Sequence, residues 1–433
     1  MRVLLINTSD AGGGAQLIGR ALMRALRERG HEVTMAVGHS AGDEPSVEVI
    51  PNFEERTPVA RGAAHLAHVT KQGWVARAGE PLRTARLMRG EEDFSFPGTW
   101  RLVRSLDPAP DVIHALNLHG GYFDLRALPE LSRVAPLILS MHDMWLITGH
   151  VAHSFECQRW RTGCGECPHL DTYVATPRDR SAYNWRRKRE IYARSRLHVA
   201  TSAQWLQDYL DDSILAAGMR ERRLIPTGID LERFAPGVKA EARRSVGLPD
   251  DGRRVLLFAA NSTRSNQFKD FATLERAIGL LKNEVIAVSV GEAGETQRIG
   301  SAERRMVGHT DRLDEWYRAA DVYVHPARAD TFPNTVLEAL ASGLPVVGSA
   351  VNGIPEQVKE GETGHLVPPG DAEAMARAID TLVADPERLA AMSAAARRDA
   401  VERFDHKREV DDYERWYGSL SSSMSDSSRI RSA

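Results

Sequence analysis

The chain has 433 residues, of which 42% are hydrophobic and 27% are charged. That length is too great for one ordinary hydrophobic core, so we expect two domains in a globular protein with the composition of an enzyme. The formal net charge of −3 excludes wholesale nucleic-acid binding, and no apolar run is long enough to cross a bilayer.

The first forty residues predict a strand–helix–strand unit. The apolar run 2–7 is a buried strand, and the glycine turn after it contains Gly13 and Gly14 and opens a helix. Backbone amides in such a turn can approach a phosphate, so both glycines are candidate binding residues. A dinucleotide-binding enzyme is the alternative, with Glu32 placed to hold a ribose, but Leu17 stands where the last glycine of G-x-G-x-x-G belongs.

Two features indicate a cytoplasmic protein. The apolar run at the N-terminus is followed by glycines, whereas a signal peptide ends in a small-residue cleavage site. The chain contains three cysteines, which are too few for the disulfide framework of a secreted domain. No pattern indicates an oligomeric state.

The next hundred residues predict irregular structure followed by two buried strands. Residues 41–100 carry many charges without regular apolar spacing, and they predict strand fragments and loops. The strands are 111–116, in which His114 is expected to be a packed core histidine, and 137–141. Ligands of open α/β sheets bind beyond the carboxyl ends of strands. The polar residues just past these strands are therefore candidate site residues: His142, and on the acceptor side Asn117, His119 and Asp143.

All three cysteines lie within eleven residues of one another. Cys164 and Cys167 form a Cys-x-x-Cys pair that lets two thiolates reach one tetrahedral metal, and Cys157 is near enough in sequence to join them. His153 or His150 would supply the fourth ligand of a structural zinc ion. Three packed thiols under a loop, or a disulfide, are the alternatives.

Residues 178–196 are strongly basic and contain Tyr183, Trp185 and Tyr192. One interpretation is the solvated face of a helix. The other is a surface that contacts an anionic membrane or a phosphate-bearing acceptor.

The second half of the chain again alternates buried strands with polar turns. The strand 255–260 leads into a polar segment with Arg264 and Lys269, and the strand 285–290 ends at Gly291. This half therefore predicts a second α/β domain.

The segment 321–347 carries the most specific pattern. A strand at 321–326 leads through a loop into a helix whose first position suits Pro333, and a glycine and a proline then end the helix before the next strand. The free amides at the positive end of this helix suit a diphosphate, and they belong to Asn334, Thr335 and Val336.

Two acids bracket this turn, Asp330 before the helix and Glu338 one turn inside it. Beside a bound phosphate, an acid is useful when it faces sugar or ribose hydroxyls. The alternative is an ordinary helix whose N-terminal acid complements the helix dipole.

This stretch resembles the donor site of retaining glycosyltransferases of family four. In both, an acid is followed after seven residues by a second acid and then by a Gly-x-Pro-Val-Val strand. The resemblance covers nearly the whole chain and includes the His142–Asp143 pair. It implies the α/β GT-B fold, with two doubly wound Rossmann-like domains facing each other across a cleft. We expect an acceptor domain at 1–228, onto which a helix at about 410–420 packs back, a donor domain at 229–409, and a Ser-rich disordered tail at 421–433.

The resemblance implies that the chain moves a sugar, with retention, from a nucleotide-diphosphate sugar to an acceptor. A UDP-sugar is the favoured donor, and the acceptor is a glycan, a lipid-linked molecule or a small molecule. No protein nucleophile is required, nor a metal or cofactor for catalysis. A nucleotide-sugar epimerase of the same fold, a NAD-dependent oxidoreductase and a non-catalytic sugar-nucleotide sensor are the alternatives.

The resemblance also assigns roles to residues. His142 would approach the sugar and phosphate, Lys269 and Arg264 would stabilise the departing diphosphate, and Glu338 would accept the ribose hydroxyls. The remaining implied donor contacts are Gly13, Gly14, Gly291, Asp330, Phe332, Pro333, Asn334, Thr335 and Val336, with Asp330 holding a sugar hydroxyl and Phe332 packing beside it.

This chain departs from the family pattern at three of its residues. Most members have Glu at the position of Asp330 and a glycine at that of Asp270, and many have a fourth cysteine at that of Val151.

Overall fold

The computed structural model describes residues 1–42 and 44–431, without the side chains from residue 423 onward, and it divides into two compact units. Unit 1 contains Met1–Ser202, Leu206–Ile225 and Val410–Ala433, and unit 2 contains Ala203–Trp205 and Pro226–Glu409. Each unit has its own seven-stranded sheet with helices between its strands, so the predicted class of two doubly wound α/β domains is confirmed.

The sheet of unit 1 is parallel throughout, in the order β3-β2-β1-β4-β5-β6-β7. The strand order reverses between β1 and β4, which places the loops after these two strands at a topological switch point. The strands β1 to β7 are Arg2–Ser9, Glu32–His39, Val47–Val49, Val112–Ala115, Leu137–Met141, Leu197–Thr201 and Met219–Leu224.

The sheet of unit 2 has the order β10-β11-β9-β8-β12-β13-β14, and within it only the short β10 runs antiparallel to its neighbour. Here the order reverses between β8 and β12. The strands β8 to β14 are Arg254–Ala259, Val285–Val290, Gln297–Ile299, Ala302–Val307, Val322–His325, Val346–Ser349 and Gly364–Val367.

The helices follow the strands in the alternation that parallel sheets require. Before Pro226 they are α1 to α8: Gly14–Glu28, Pro58–Thr70, Gly73–Ala78, Pro81–Met88, Pro97–Arg104, Leu128–Val134, Ser181–Ala193 and Gln204–Tyr209. After it they are α9 to α16: Lys239–Ser245, Phe271–Leu280, Leu313–Ala319, Asn334–Ala341, Ile354–Gln357, Ala372–Val383, Pro386–Arg403 and His406–Arg431. None of the described helices is long and apolar enough to span a bilayer.

Residues 41–100 differ from the sequence prediction. In the described residues of this range, one expected strand fragment is present, the three-residue β3, and it is followed by four helices, α2 to α5, where loops were expected. Residues 58–89 are rich in Ala, Leu and Arg, which are good helix formers. The many charges in this range led to the expectation of loops, but the helix propensity of these residues prevails.

The core of unit 1 includes the last long helix of the chain. Val410, Tyr413, Trp416 and Tyr417 of α16 are buried against the apolar residues of β1, β2 and α1. His114 is buried in the same region, with Nδ1 2.6 Å from the Tyr417 hydroxyl and Nε2 2.7 Å from the Ser140 hydroxyl. Burial lowers its pKa to about 3, so the core histidine expected from the sequence is confirmed.

The disordered tail expected at 421–433 is corrected for most of its length, because α16 continues to Arg431. The hydroxyl of Ser422 donates to the carbonyl oxygen of Gly418 at 2.9 Å, which is how a serine is accommodated inside a helix. Residues 432 and 433 lie outside the described part of the chain.

Candidate functional site

In unit 2, the loops after β8 and β12 bring two candidate donor residues together. These strands are parallel neighbours at the switch point of the sheet. Lys269 lies in the loop after β8 and bridges to the backbone of Ala327 in the loop after β12. Asp330 lies three residues beyond Ala327, and its carboxylate accepts a hydrogen bond from the Lys269 ammonium group. Open parallel sheets bind ligands at this edge.

His325 at the end of β12 completes a three-residue cluster with Lys269 and Asp330. Its Nε2 lies 3.0 Å from Asp330 Oδ2 and 3.4 Å from Lys269 Nζ, and its Nδ1 lies 3.3 Å from the Tyr323 hydroxyl. The His325 side chain is fully buried, whereas those of Lys269 and Asp330 are each 16% exposed. The ion pair therefore retains a solvent-facing side that a ligand can contact.

The cluster has no net charge at neutral pH. Burial by itself would raise the pKa of Asp330, but the charge of Lys269 outweighs it and holds the pKa of Asp330 well below its usual range. Burial, and then the charge of Lys269, lower the pKa of His325 to about 4. The cluster thus combines one cation, one carboxylate and a neutral imidazole.

The helix α12 begins at Asn334, with Pro333 as its N-cap residue. The amide of Val336 donates to the carbonyl oxygen of Pro333 at 3.1 Å, so its predicted contact with a diphosphate would require this bond to open or to be shared. This short bond tightens the first turn of the helix. In the described part of the chain, the amides of Asn334 and Thr335 have no acceptor, and at the positive end of a helix they can bind an anionic oxygen.

Glu338 lies one turn into α12, next to Tyr317 of α11. The Tyr317 hydroxyl lies 2.9 Å from Glu338 Oε2 and 3.0 Å from the carbonyl oxygen of Thr335. Burial raises the pKa of Glu338 to about 7, although the hydrogen bond from Tyr317 opposes the rise. An acid that only complements a helix dipole would not need such an environment, so the raised pKa favours a binding role.

Phe332 lies in the core of unit 2 and packs edge-on against Phe404, with ring centroids 5.9 Å apart. Its side chain is 8% exposed, and its packing beside a donor sugar stays a prediction. An apolar residue that follows a strand can be held by the core as readily as by a ligand, and the sequence did not distinguish the two.

Arg264 contacts Glu292 and Met306, and no contact joins it to Lys269 or Asp330 within the described residues. Its guanidinium lies 3.2 Å from Glu292 Oε1 and 3.0 Å from Met306 Sδ. Its predicted contact with a diphosphate would require the pair with Glu292 to open or to be shared.

Two turn residues of unit 2 have clear local functions. Gly291 has a φ of +125°, and a Cβ at this position would lie 1.9 Å from the carbonyl oxygen of Ala260, so the turn accepts only glycine. Asp270, which replaces the glycine of the family pattern, is the N-cap of α10 and accepts hydrogen bonds from the amide and hydroxyl of Thr273 at 3.1 and 2.7 Å.

In unit 1, the loops after β4 and β5 join two of the three candidate acceptor residues directly. His119 Nε2 lies 2.8 Å from Asp143 Oδ2, and His119 Nδ1 lies 3.1 Å from the Tyr173 hydroxyl. The side chain of Asn117 accepts a hydrogen bond from the amide of His119 at 3.3 Å and so helps to shape the loop. Burial would raise the pKa of Asp143, but the charge of His119 and the hydrogen bonds lower it.

His142 directly follows β5 and is half-buried, close enough to His114 to help lower the pKa of that core histidine. Gly13 and Gly14 lie at the start of α1, where Gly13 is the N-cap residue and Gly14 the first helical residue. These three candidates belong to unit 1, whereas the Lys269 cluster belongs to unit 2.

The three cysteines and His150 line one small cavity of about 20 Å³ in unit 1. His150 Nε2 lies 3.3 Å from Cys167 Sγ, and its Nδ1 donates to the carbonyl oxygen of Val174 at 2.8 Å. All three thiols are free, so the disulfide alternative is wrong. His153 does not line the cavity, and its charge acts on Asp143 instead.

Burial raises the pKa of the Cys164 thiol to about 12 and that of the Cys167 thiol above its usual value. As the side chains stand, the described residues contain no group of three or more His, Cys, Asp or Glu side chains placed to hold a metal ion. The structural zinc expected from the sequence is therefore still a proposal.

The basic segment 178–196 contains α7, and its aromatic residues are mainly structural. Trp185 and Tyr192 are buried, and the Trp185 indole donates to the carbonyl oxygen of Trp160 at 2.7 Å. Lys188 is fully buried, with its ammonium 3.0 Å from Glu92 Oε2. Trp185 and Tyr192 therefore belong to the core, whereas Tyr183 is partly exposed.

Sequence reasoning missed His325 and Tyr317, which contact Asp330 and Glu338. The signal for His325 was available, because it is the one histidine within β12 and stands at its carboxyl end. Tyr317 lies on α11, and nothing in the sequence links it to Glu338.

Two family models match this chain. The model described as Glycosyltransferase Family 4 matches residues 12–233, and the one described as Glycosyl transferases group 1 matches residues 253–385.

Relatives of known name are similar to large parts of the sequence. D-inositol 3-phosphate glycosyltransferase 1 of Catenulispora acidiphila is 33% identical over 314 residues, which cover 67% of this chain and 68% of the relative. D-inositol 3-phosphate glycosyltransferase of Geodermatophilus obscurus is 32% identical, with 51% of this chain and 52% of the relative covered.

Solved structures share the fold over nearly the whole chain. HepE of Anabaena in complex with UDP matches with a TM-score of 0.67 and 18% identity, over 97% of this chain and 100% of HepE. Sucrose-phosphate synthase of Thermosynechococcus elongatus matches with a TM-score of 0.64 and 19% identity, over 98% and 99% of the two chains. Since one family model covers half of the sequence and a relative matches two thirds of it, this chain belongs to the family 4 glycosyltransferases of the GT-B fold.

Proposed function

We propose that the protein is a retaining glycosyltransferase that uses a nucleotide-diphosphate sugar and binds its diphosphate at the start of α12. The observation that carries this proposal is the cluster of Lys269, Asp330 and His325 at the switch point of unit 2, beside the two acceptor-free amides of α12. A cation and helix amides in one place can stabilise the negative charge of a departing diphosphate.

The ion pair of Lys269 and Asp330 gives each partner a role in transfer. A diphosphate oxygen would compete with Asp330 for Lys269, and the Asp330 carboxylate could then accept a hydroxyl proton of the donor sugar. Glu338, one turn further on, would accept the ribose hydroxyls in its ionised form. No side chain of the protein acts as a nucleophile. The departing donor phosphate would itself assist the attack of the acceptor, on the same face of the sugar from which the phosphate leaves.

A UDP-sugar is the first donor to test, because HepE is described in complexes with UDP and UDP-glucose. Among acceptors, a polyol phosphate follows from the name of the inositol phosphate relatives, beside the glycans and lipid-linked molecules expected from the sequence. Neither the family models nor the relatives favour an epimerase, an oxidoreductase or a sensor.

The test is a thermal-shift panel of UDP-, GDP- and ADP-sugars, followed by turnover of the stabilising donor. A ligand at 100 times its Kd adds about 2.7 kcal/mol to the free energy of unfolding. NMR of the product would establish whether the anomeric configuration is retained. Stabilisation without turnover on any acceptor would support the sensor instead, and an inverted product would contradict the retaining mechanism.

We expect transfer to need no divalent metal, because Lys269 and the amides of α12 can balance the diphosphate charge and no Asp-x-Asp motif follows a strand. Turnover after dialysis against EDTA should equal that of untreated enzyme. The melting temperature must be followed in the same samples, so that unfolding is not mistaken for lost chemistry. Activity that disappears while the fold persists, and returns with Mg²⁺ or Mn²⁺, would contradict this expectation.

We propose further that the cysteine cavity holds a structural zinc ion, with His150 rather than His153 as the fourth ligand beside Cys157, Cys164 and Cys167. His150 is oriented as a metal-binding histidine usually is, because it donates its other ring N–H to the carbonyl oxygen of Val174, and the four side chains would have to move closer together to reach one ion. The ion would pin a loop and take no part in the transfer.

Zinc analysis of protein purified without a His tag tests this proposal. We expect about one equivalent per chain, lost in His150→Ala together with thermal stability, whereas His153→Ala should keep the metal. Protein with no zinc and with unreactive thiols would leave only the packed-thiol interpretation.

A further inference from the structure

The surface formed by α2, α3 and α4 buries almost nothing. Ala60 is the one buried residue of α2, and α3 and α4 have no buried residue at all. Helices in proteins gain most of their stability from packing an apolar face against a partner. This surface, hereafter the α2–α4 surface, therefore lacks the packing that helices of this kind usually have.

The apolar residues of the α2–α4 surface are exposed instead of packed. Leu82 is 77% exposed and Trp74 65% exposed, and they are accompanied by Val59, Leu66, Val69 and Met88. Val59, Leu66 and Val69 share one face of α2, because residues seven and three apart lie on the same side of a helix. Exposed large apolar side chains concentrated on one segment mark an interaction surface.

The charge of the α2–α4 surface is strongly positive. Residues 58–89 contain six basic residues and one acidic residue, a net charge of +5 in a chain whose total is −3. Among the described residues, Arg61, Lys71, Arg77 and Arg86 have no carboxylate within ion-pair distance. Basic residues interleaved with Trp, Leu and Val are what an anionic lipid surface attracts, through its headgroup charge and its apolar interface.

A cavity of about 420 Å³ adjoins this surface and is lined by arginines. Its lining includes Arg83, Arg86 and Arg89 of α4 and its C-terminal end, together with Arg126 and Arg187. Its three acidic residues are already paired: Glu91 with Arg89, Glu92 with Lys188 and Asp93 with Arg83. The cavity can thus accept a phosphate group of a molecule whose apolar part contacts the α2–α4 surface.

We propose that the α2–α4 surface docks unit 1 onto an anionic lipid bilayer, with the arginine-lined cavity receiving a headgroup phosphate. The apolar side chains enter the interface while the unpaired basic residues stay at headgroup level. The helix α7 contributes Tyr183 and Arg187 to the lining of this cavity, whereas its Trp185 and Tyr192 are buried. The proposal requires no particular sugar donor and is testable without enzymatic activity.

Co-sedimentation with vesicles tests the proposal. We expect the full chain to bind vesicles of phosphatidylcholine mixed with phosphatidylglycerol, to bind phosphatidylcholine alone far less, and to lose binding as salt rises. The double variants Trp74→Ser/Leu82→Ser and Arg77→Gln/Arg86→Gln should each weaken binding by at least about tenfold, because each removes one of the two attractive contributions.

Matched variants elsewhere on the protein are the controls. Val238 and Leu280 are exposed apolar residues of unit 2, and Arg244 and Arg398 are exposed arginines of unit 2. Val238→Ser/Leu280→Ser and Arg244→Gln/Arg398→Gln should leave vesicle binding unchanged, and all variants should keep the wild-type melting temperature. Binding that the control variants weaken as much as the α2–α4 variants would overturn the proposal.

Two further results would also overturn it. One is the absence of wild-type binding to anionic vesicles. The other is self-association in solution that Trp74→Ser/Leu82→Ser abolishes while lipid binding stays intact, which would assign the α2–α4 surface to a second copy of the chain.

Discussion

Glu338→Ala is expected to lower kcat/KM at least about 100-fold for whichever donor the enzyme uses. A hydrogen bond to a charged group contributes about 1.5–3 kcal/mol, and the carboxylate would lose two ribose contacts together. The position of Glu338 one turn inside α12 and its contact with the Tyr317 hydroxyl support this role. Steady-state kinetics with the donor from the thermal-shift panel measures the effect.

The control for this substitution is Glu373→Ala, which removes an exposed acid from α14. It should leave kcat/KM unchanged. Near wild-type kinetics of Glu338→Ala, in a variant with an intact fold, would show that Glu338 does not belong to the binding site.

Asp330→Ala should reduce discrimination among donor sugars more than it reduces affinity for the nucleotide.

The raised pKa of Glu338 makes donor affinity depend on pH. Its carboxyl group is mostly protonated at pH 6 and mostly ionised at pH 8, because burial raises its pKa to about 7. Only the carboxylate accepts two hydroxyl protons, so affinity for a nucleotide sugar should rise by up to about tenfold over this range. The diphosphate of a nucleotide sugar does not titrate here, and Glu338→Gln should flatten the profile.

The Glu338 carboxyl group has the opposite effect on folding stability, because its contribution to the free energy of unfolding falls as pH rises. Its pKa in the folded chain lies above the ordinary value of 4.5, so the unfolded chain loses the proton first as pH rises. The stability contributed by the protonated form is therefore present below pH 4.5 and is lost between pH 4.5 and about 7. Glu338→Gln should remove this part of the pH dependence.

The pattern between residues 321 and 347 predicted local structure well, because each of its elements has a local cause. The apolar strand, the proline before the helix and the glycine after it act within a few residues of one another. The same reasoning did not show that Phe332 belongs to the core of unit 2. Its burial depends on three-dimensional packing, which spacing along the chain does not describe.

The pairing of Lys269 with Asp330 illustrates a different limit. Both residues were candidates, but 61 positions separate them, and their contact follows from the pairing of β8 with β12. Strand order is set by the connections of the whole sheet, so no local pattern could have shown that these residues form an ion pair. The helix α2 is a different case, because Val59, Leu66 and Val69 are spaced as on one helix face, and the many charges of residues 41–100 obscured this local signal.

Lys269→Ala is expected to reduce kcat by about 100- to 1000-fold, the usual loss when a donor that stabilises developing charge is removed. It should also destabilise the fold by up to about 3 kcal/mol, because it leaves the mostly buried Asp330 carboxylate without its cation. Lys269→Arg keeps the charge with a different shape, and we expect it to restore stability more than activity.

His325 makes the stability loss in Lys269→Ala depend on pH. Burial and the charge of Lys269 together lower the pKa of His325 to about 4, so removing Lys269 should raise that pKa. A protonated His325, 3.0 Å from Asp330, could then replace the lost cation at pH 5.5 but not at pH 8. Denaturant titrations should therefore show the larger stability loss at pH 8.

Activity should not follow this recovery. Because the His325 side chain is fully buried behind Asp330, its proton would compensate the carboxylate without reaching a diphosphate as the Lys269 ammonium group can. Turnover of Lys269→Ala should thus stay low at pH 5.5 even where the fold regains stability. Equal recovery of stability and turnover would mean that Lys269 serves only to neutralise Asp330, and the phosphate charge would then have to be stabilised by the amides of α12 or by Arg264.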